Sequence, residues 1–308
     1  MKYIFIINPK AGNKDMTAAI YDMADRLRDR HGLEVTCMLT DRPGGATDMA
    51  RKLAETGEEV RIYACGGDGT IHEVAEGIAG FPNAAMSCIP SGTGNDFLKN
   101  FGRMASKFSD AENSFDGPSF PLDLIDCNGR LCVTIACNGV DAQVAESVHE
   151  YGAMFSGRSS YIASIIMNVL IKPIAHRWEL EIDGVRQEGE YLLVSMCNGR
   201  YYGGGSTPVP EARMDDGVLH TVIINKISKP QFAKLFGPYS DGKYRELPQN
   251  LIRVVTAKEV RIRSKEEIVS CVDGECFRSR EVVMKLSDKR VNFFGPKGCD
   301  PNATAIGI

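Results

Sequence analysis

The chain has no CxxC pair, no secretory leader pattern and no apolar run long enough to cross a bilayer. Ten cysteines without paired spacing read as free thiols of a reducing compartment rather than a disulfide framework, so a cytoplasmic address is the expectation. The opening run Tyr3-Ile4-Phe5-Ile6-Ile7 is too short for a signal segment and ends in the turn dipeptide Asn8-Pro9, which predicts a buried strand. The longest later apolar stretch, Tyr161 to Ile171, contains Ser164 and Asn168 and falls short of the ~20 residues that a spanning helix needs. An excess of one charge is also missing: 36 Lys and Arg stand against 40 Asp and Glu, a net charge of −4, so no overall basic field would draw the chain to nucleic acid. His31, His149, His176 and His220 have no metal-ligand spacing with one another or with cysteines, which argues against zinc. Cys127, Cys132 and Cys137 recur every five residues, which sends them to different strand faces and predicts buried free thiols.

What is present points to two domains, since 308 residues exceed what one core usually holds. From residue 3 to residue 101, short β-rich runs alternate with helical periodicity, the mark of a parallel sheet covered by helices. The runs Tyr3–Ile7, Glu34–Leu39, Val60–Cys65 and Ala84–Ile89 are the expected strands. Ile20, Met23, Ala24 and Leu27 fall at helical spacing before Gly32, and Ala46, Met49, Ala50 and Leu53 do so before Gly57. A third helix is expected to open after Thr70. Beyond about residue 120 the turns become Asn-Gly and Asp-Gly, which favour hairpins: Leu122–Cys127 and Arg130–Cys137 around Asn128-Gly129, Trp178–Ile182 before Asp183-Gly184, and Ile268–Val272 before Asp273-Gly274. A mainly antiparallel second domain interrupted by one helix, roughly Ser159 to Leu170, is the reading. The boundaries expected are 1–121 for the first domain, 122–288 for the second, and a tail of 289–308 returning to the first.

The segments that carry chemistry are the strand exits. Gly66-Gly67-Asp68-Gly69-Thr70 follows a buried strand and opens a helix, where glycines let the backbone approach a phosphate and the helix start supplies N–H donors. Pro90-Ser91-Gly92-Thr93-Gly94-Asn95-Asp96-Phe97 repeats the arrangement at the next strand, and Asn8-Pro9-Lys10-Ala11-Gly12 leaves the first. Neither a GxxxxGK[ST] loop nor a GxGxxG fingerprint with its later acidic residue is present, so two familiar nucleotide folds lose support.

These three motifs, with Arg213-Met214-Asp215-Asp216-Gly217 and Val272-Asp273-Gly274-Glu275 further on, resemble the diacylglycerol kinase catalytic family, which also holds sphingosine, ceramide and bacterial lipid kinases. The resemblance implies a doubly wound α/β nucleotide domain related to NAD kinase and phosphofructokinase, a second β-sandwich domain, and an active site in the cleft between them. It assigns Asn8, Gly12, Thr40, Gly66, Gly67, Asp68, Gly69, Thr70 and Thr93 to ATP or its Mg²⁺, and Glu275 to the role of general base. It assigns Asp216, with the carbonyls of Arg213 and Val218, to a structural Mg²⁺ site, and makes Asp123 the link from that site to the catalytic centre. Oxygen ligands with retained waters are what Mg²⁺ prefers; the alternative is that Asp215-Asp216-Gly217 is only a surface turn before the strand Val218–Ile224. The family usually has Asn where this chain has His72, for which a solvated or locally bonded helix-start residue is the expectation. The implied activity is ATP- and Mg²⁺-dependent phosphorylation of a membrane-lipid hydroxyl, with diacylglycerol first and sphingosine, ceramide or undecaprenol as other acceptors. The implied setting is phospholipid metabolism, with transient attachment to the membrane surface and, by analogy with bacterial members, a homodimer. A kinase of NAD shares the Gly-Gly-Asp-Gly-Thr run but needs a further Asn-Glu pair and Gly-Ser-Thr loop that are not found. A nucleotide-binding regulator without turnover would be expected to lack Asp68 or Glu275. Arg158 to Leu170, with Lys172, His176 and Arg177, is read as a packed helix or, alternatively, as an apolar element lining a lipid entrance.

Overall fold

The computed structural model of the chain describes residues 1–151 and 174–300; the expected helix at Ser159–Leu170 and the lipid-entrance reading of Arg158–Leu170 lie outside them. The chain divides into two compact units, one made of Met1–Asp123 together with the segment from Asp288 onward, the other of Leu124–Ser287.

In the first unit the elements are β1 (Lys2–Ile7), α1 (Thr17–His31), β2 (Val35–Leu39), α2 (Gly45–Glu55), β3 (Val60–Gly66), α3 (Asp68–Ile78), β4 (Ala84–Pro90) and the short α4 (Asp96–Lys99). Strands β2, β1, β3 and β4 pair in parallel in that order. Alternation along β1 explains the layering. Tyr3, Phe5 and Ile7 pack with Ile20, Met23, Ala24 and Leu27 of α1, which leaves Ile4 and Ile6 for the opposite face. The helices α2 and α3 approach closely, because a Cβ on Gly77 would lie 2.6 Å from the Thr47 carbonyl oxygen. Gly32 ends α1 in the left-handed conformation, at φ 63°, with its N–H bonded back to Arg28 O.

One expectation shifts here. The third helix opens at Asp68 rather than after Thr70, because the Gly67 carbonyl already accepts the N–H groups of Thr70 and Ile71 at 3.0 and 3.1 Å. Asp68 therefore stands in the first helical turn. Its acidic side chain suits the positive end of the helix dipole. The sheet is completed by β5 (Ser119–Leu122), so the expected single strand Leu122–Cys127 is two pieces in two sheets.

The second unit holds β6 (Ile125–Cys127), β7 (Arg130–Cys132), β8 (Ile135–Gly139), α5 (Val140–Tyr151), β9 (His176–Ile182), β10 (Val185–Cys197), β11 (His220–Asn225), α6 (Lys229–Ser240), β12 (Ile252–Thr256), β13 (Glu259–Val272) and β14 (Glu275–Leu286). A last strand, β15 (Val291–Phe294), lies in the first sheet between β4 and β5. The long strands β10 and β13 each pair with β9 along one stretch and with β8 along another, and this bends the nine strands around a core of Trp178, Leu180, Val194, Met196, Val260 and Ile262. Cys127 and Cys132 face that core while Cys137 joins the cluster beneath α5 and α6; all three are buried free thiols.

Two helices here escaped the sequence reading, which allowed one. Gly237 and Pro238 disguise α6, although the Ser228–Gln231 capping box announces its start. In α5, Asp141 lies close to Leu192, Leu193, Ile224 and Tyr239 and accepts a 2.7 Å bond from the Tyr202 hydroxyl. The residue keeps some accessible surface, but its carboxyl sits among apolar side chains, and burial pushes its pKa up to about 6 against the opposing effect of that bond. A carboxyl raised above its unfolded value stabilises the fold at low pH and loses that contribution as pH rises through about 6. Asp141→Asn is accordingly expected to match the unsubstituted chain near pH 4 and to exceed it by about 2–3 kcal/mol at pH 7. Urea unfolding at both pH values tests this, and an equal difference at the two would contradict it.

Candidate active site

The C-terminal ends of β1, β2, β3 and β4 form one edge, the place at which open parallel sheets bind ligands. The loops leaving them are held by glycine contacts that no larger residue could make. A Cβ on Gly12, where φ is 74°, would come 1.9 Å from the Ser91 carbonyl oxygen, and one on Gly92 would come 2.5 Å from Gly67 Cα. The three strand exits named in the sequence therefore touch. Backbone bonds fix the same arrangement: Asn8 N–H donates to Cys65 O at 2.9 Å, Ser91 N–H to Gly66 O at 2.9 Å and Thr40 N–H to Ile7 O at 2.8 Å. The Asn8 amide donates to the Thr70 hydroxyl at 3.3 Å, and Thr70 lies so close that a Cβ on Gly66 would meet its Oγ1 at 2.1 Å. Asn8, Gly12, Thr40, Gly66, Gly67, Asp68, Gly69, Thr70 and Thr93 all lie on this edge. Gly69 and Thr93 are exposed there.

Asp68 has a structural task that the sequence did not reveal. Its Oδ2 accepts the Asp96 N–H at 3.1 Å and its Oδ1 the Phe97 N–H at 2.9 Å, so a residue of α3 caps the start of α4. Glu73, one turn further along α3, accepts the N–H groups of Gly44 and Ala46, both at 3.0 Å, and so caps α2. Two carboxylates of one helix thus tie down the two neighbouring loops. Glu73 was missed because its partners lie 27 and 29 residues upstream, beyond the reach of any local pattern. His72, between them, is buried, so the solvated reading of it does not hold.

Asp123 is buried at 1% exposure and its carboxylate pairs with the Arg290 guanidinium at 2.8 Å. In the second unit Glu275 is the exposed first residue of β14, opposite Val272 of β13 across the Asp273-Gly274 turn. Arg213, Asp216 and Val218 are all exposed, and Asp216 Oδ1 accepts the Val218 N–H at 2.9 Å across Gly217, whose φ is 71°. A cavity of this unit is lined by Gly139, Gln143, His176, Trp178, Ile268 and Arg278. Burial lowers the pKa of His176, whose ring nitrogen stands 3.0 Å from the Gln143 amide nitrogen, while the buried Gln143 Oε1 has no donor among the described residues. No described helix is long and apolar enough to cross a membrane.

The comparisons agree with this arrangement. The family model described as the diacylglycerol kinase catalytic domain matches residues 2–127, and the one described as the YegS C-terminal NAD kinase beta sandwich-like domain matches residues 134–294. A curated relative named diacylglycerol kinase, from Staphylococcus aureus strain bovine RF122, is 29% identical over 297 residues, covering 94% of this chain and 91% of its own. A relative from Pseudomonas aeruginosa named "Probable lipid kinase YegS-like" is 29% identical over 225 residues, covering 72% of each chain. Among solved structures, one from Bacillus anthracis str. Sterne superposes with a TM-score of 0.75 at 23% identity, over 97% of this chain and 98% of that one, and so shares the fold. With an α/β first unit, a β-rich second unit and both domain models matched in order, the chain belongs to the diacylglycerol kinase catalytic family of phosphotransferases.

Proposed function

We propose that the chain transfers the γ-phosphoryl group of ATP to the hydroxyl of a membrane lipid, with diacylglycerol as acceptor and phosphatidic acid as product. The observation that carries the donor half is the glycine-built edge on which Gly12, Gly67 and Gly92 are in contact distance of neighbouring backbone, because only such a surface lets a polyphosphate approach main-chain N–H groups. Asn8, Thr40, Thr70 and Thr93 supply further polar groups along it. Asp68 offers a carboxylate at the head of α3, on the edge where the strand exits meet, and Asp216 an exposed carboxylate beside a tight turn, and such hard oxygen donors are of the kind that Mg²⁺ takes together with waters. Bound Mg²⁺ would neutralise phosphate charge and orient it for in-line attack. Asp123, tied to Arg290, would belong to the supporting charge network.

Glu275 would accept the proton of the attacking hydroxyl, a role that needs a carboxylate held in hydrogen-bond reach of the alcohol. A lipid acceptor would require the protein to visit the membrane surface from water. The test is transfer of labelled γ-phosphate from ATP, with Mg²⁺, to diacylglycerol, ceramide, sphingosine, monoacylglycerol, undecaprenol and NAD in mixed micelles. Labelled phosphatidic acid is expected. Label on another lipid would change the acceptor alone, whereas label on NAD only would overturn the lipid reading.

A further inference from the structure

Three hairpins of the second unit turn on a residue in the left-handed conformation followed by glycine: Asn128 at φ 52°, Asp183 at φ 47° and Asp273 at φ 46°. In each, the first turn residue also reaches across to a neighbouring strand. Asn128 Oδ1 accepts one N–H, from Val283 at 2.8 Å. Asp183 Oδ1 accepts two, from Lys258 and Glu259, both at 2.9 Å. Asp273 accepts far more: Oδ2 takes the Val133 N–H at 2.5 Å, while Oδ1 takes the N–H groups of Thr134 and Ile135 at 2.9 and 3.2 Å and the Cys132 thiol at 3.3 Å.

This gathering explains a local departure from the sequence reading. The expected strand Arg130–Cys137 breaks at residues 133 and 134, and the N–H groups at that break are the ones the Asp273 carboxylate collects. The Asp273 N–H returns to Ile135 O at 3.2 Å, so turn and break are locked in both directions. Directly beside them Cys271 pairs with Cys137 and Val272 with Ala136, which places the turn over the entry to β8. Glu275 follows two residues after Asp273 and opposes Val272 in the closing pair of the hairpin. Charge-assisted bonds from several backbone N–H groups are strong and strongly directional. An exposed side chain at a hairpin's end otherwise inherits the freedom of its turn.

We infer that Asp273 is a positioning residue for Glu275: its carboxylate clamps the turn to the β7–β8 break and thereby sets where the Glu275 carboxylate stands. The inference rests on the proposed role of Glu275 as general base. Asp183 is a matched control, since it anchors the same kind of turn by the same kind of bond in a hairpin that carries no proposed catalytic group.

The experiment measures kcat and KM for ATP and diacylglycerol, with thermal midpoints, for Asp273→Asn, Asp273→Ala, Asp183→Asn and Glu275→Gln. Misplacing a reacting group by about 1 Å costs on the order of 100-fold in rate. Asp273→Asn and Asp273→Ala are therefore expected to lower kcat about 10- to 100-fold with KM for ATP unchanged. Asp183→Asn is expected to leave kcat within about two-fold, on the same positional argument, and to lower the midpoint less than Asp273→Asn does, because Asp183 takes both of its N–H groups on Oδ1 and an asparagine oxygen can do the same. Should Asp273→Ala fail to fold, the nearly isosteric Asp273→Asn carries the measurement. If Glu275→Gln is inactive but Asp273→Asn keeps its kcat, or if Asp183→Asn loses as much kcat as Asp273→Asn, the positioning role is overturned and the base stands. If Glu275→Gln itself keeps its kcat, the base assignment fails and the positioning role falls with it.

Discussion

Glu275→Gln should lower kcat by roughly 10²- to 10⁴-fold, the range over which a positioned general base contributes. The substitution keeps the shape of the side chain and removes only its capacity to accept a proton. Glu275 is exposed at the first position of β14, so the hairpin loses no buried contact and the thermal midpoint should stay within about 1 °C of its original value, as for an ordinary surface change. KM for ATP should also stay, because no ATP contact is assigned to this residue. A loss of kcat with folding and ATP affinity intact is the combination that distinguishes a base from a structural hairpin residue. Retained kcat would return Glu275 to the status of an ordinary turn-flanking residue, which the Asp183-Gly184 hairpin shows to be common enough in this unit.

Asp68→Asn should have a large effect of a different kind. The aspartate carboxylate accepts the N–H groups of Asp96 and Phe97 with one oxygen each. An asparagine can satisfy one of them and turns its own NH₂ donors toward the other. The start of α4 is left with an unmet backbone donor, at a cost of about 1–3 kcal/mol, and the loop Ser91–Asn95 loses the anchor that holds it to α3. Charge is lost at the same time from the position proposed to meet Mg²⁺. Both effects fall on the nucleotide side, so kcat/KM for ATP should drop at least about 100-fold, with KM for ATP rising as well as kcat falling. Steady-state kinetics with varied ATP, together with unfolding curves, separates this signature from that of Glu275→Gln. An unchanged KM for ATP would show that Asp68 does not serve nucleotide binding.

The first unit was largely legible in the sequence because its signals are local. Strand runs such as Tyr3–Ile7, helical spacing such as Ile20, Met23, Ala24 and Leu27, and glycines at strand exits each act within a few residues. The second unit was legible at its turns and less so between them. Asn128-Gly129, Asp183-Gly184 and Asp273-Gly274 all form hairpin turns, yet the break at Val133-Thr134 depends on a carboxylate 139 and 140 residues away. The helix α6 was hidden by its own Gly237-Pro238 pair. At the candidate site, the glycine-rich strand exits could be singled out because close approach to a phosphate favours glycine, and the individual residue roles came only from the family resemblance, whereas the capping tasks of Asp68 and Glu73 could not be read, since their partners are backbone groups on other loops. Long-range hydrogen bonds to main-chain N–H carry no side-chain signature at the receiving end.

The activity proposed for this protein is transfer of the γ-phosphoryl group of ATP to the hydroxyl of a bound lipid. Its most direct test is to incubate the chain with ATP carrying ¹⁸O in the γ-phosphate, Mg²⁺ and a total membrane-lipid extract supplemented with NAD, and to follow the heavy phosphate by mass spectrometry. Phosphatidic acid bearing the label, absent when Glu275→Gln replaces the unsubstituted chain, is the predicted result. Label confined to NAD phosphate or to inorganic phosphate would contradict it.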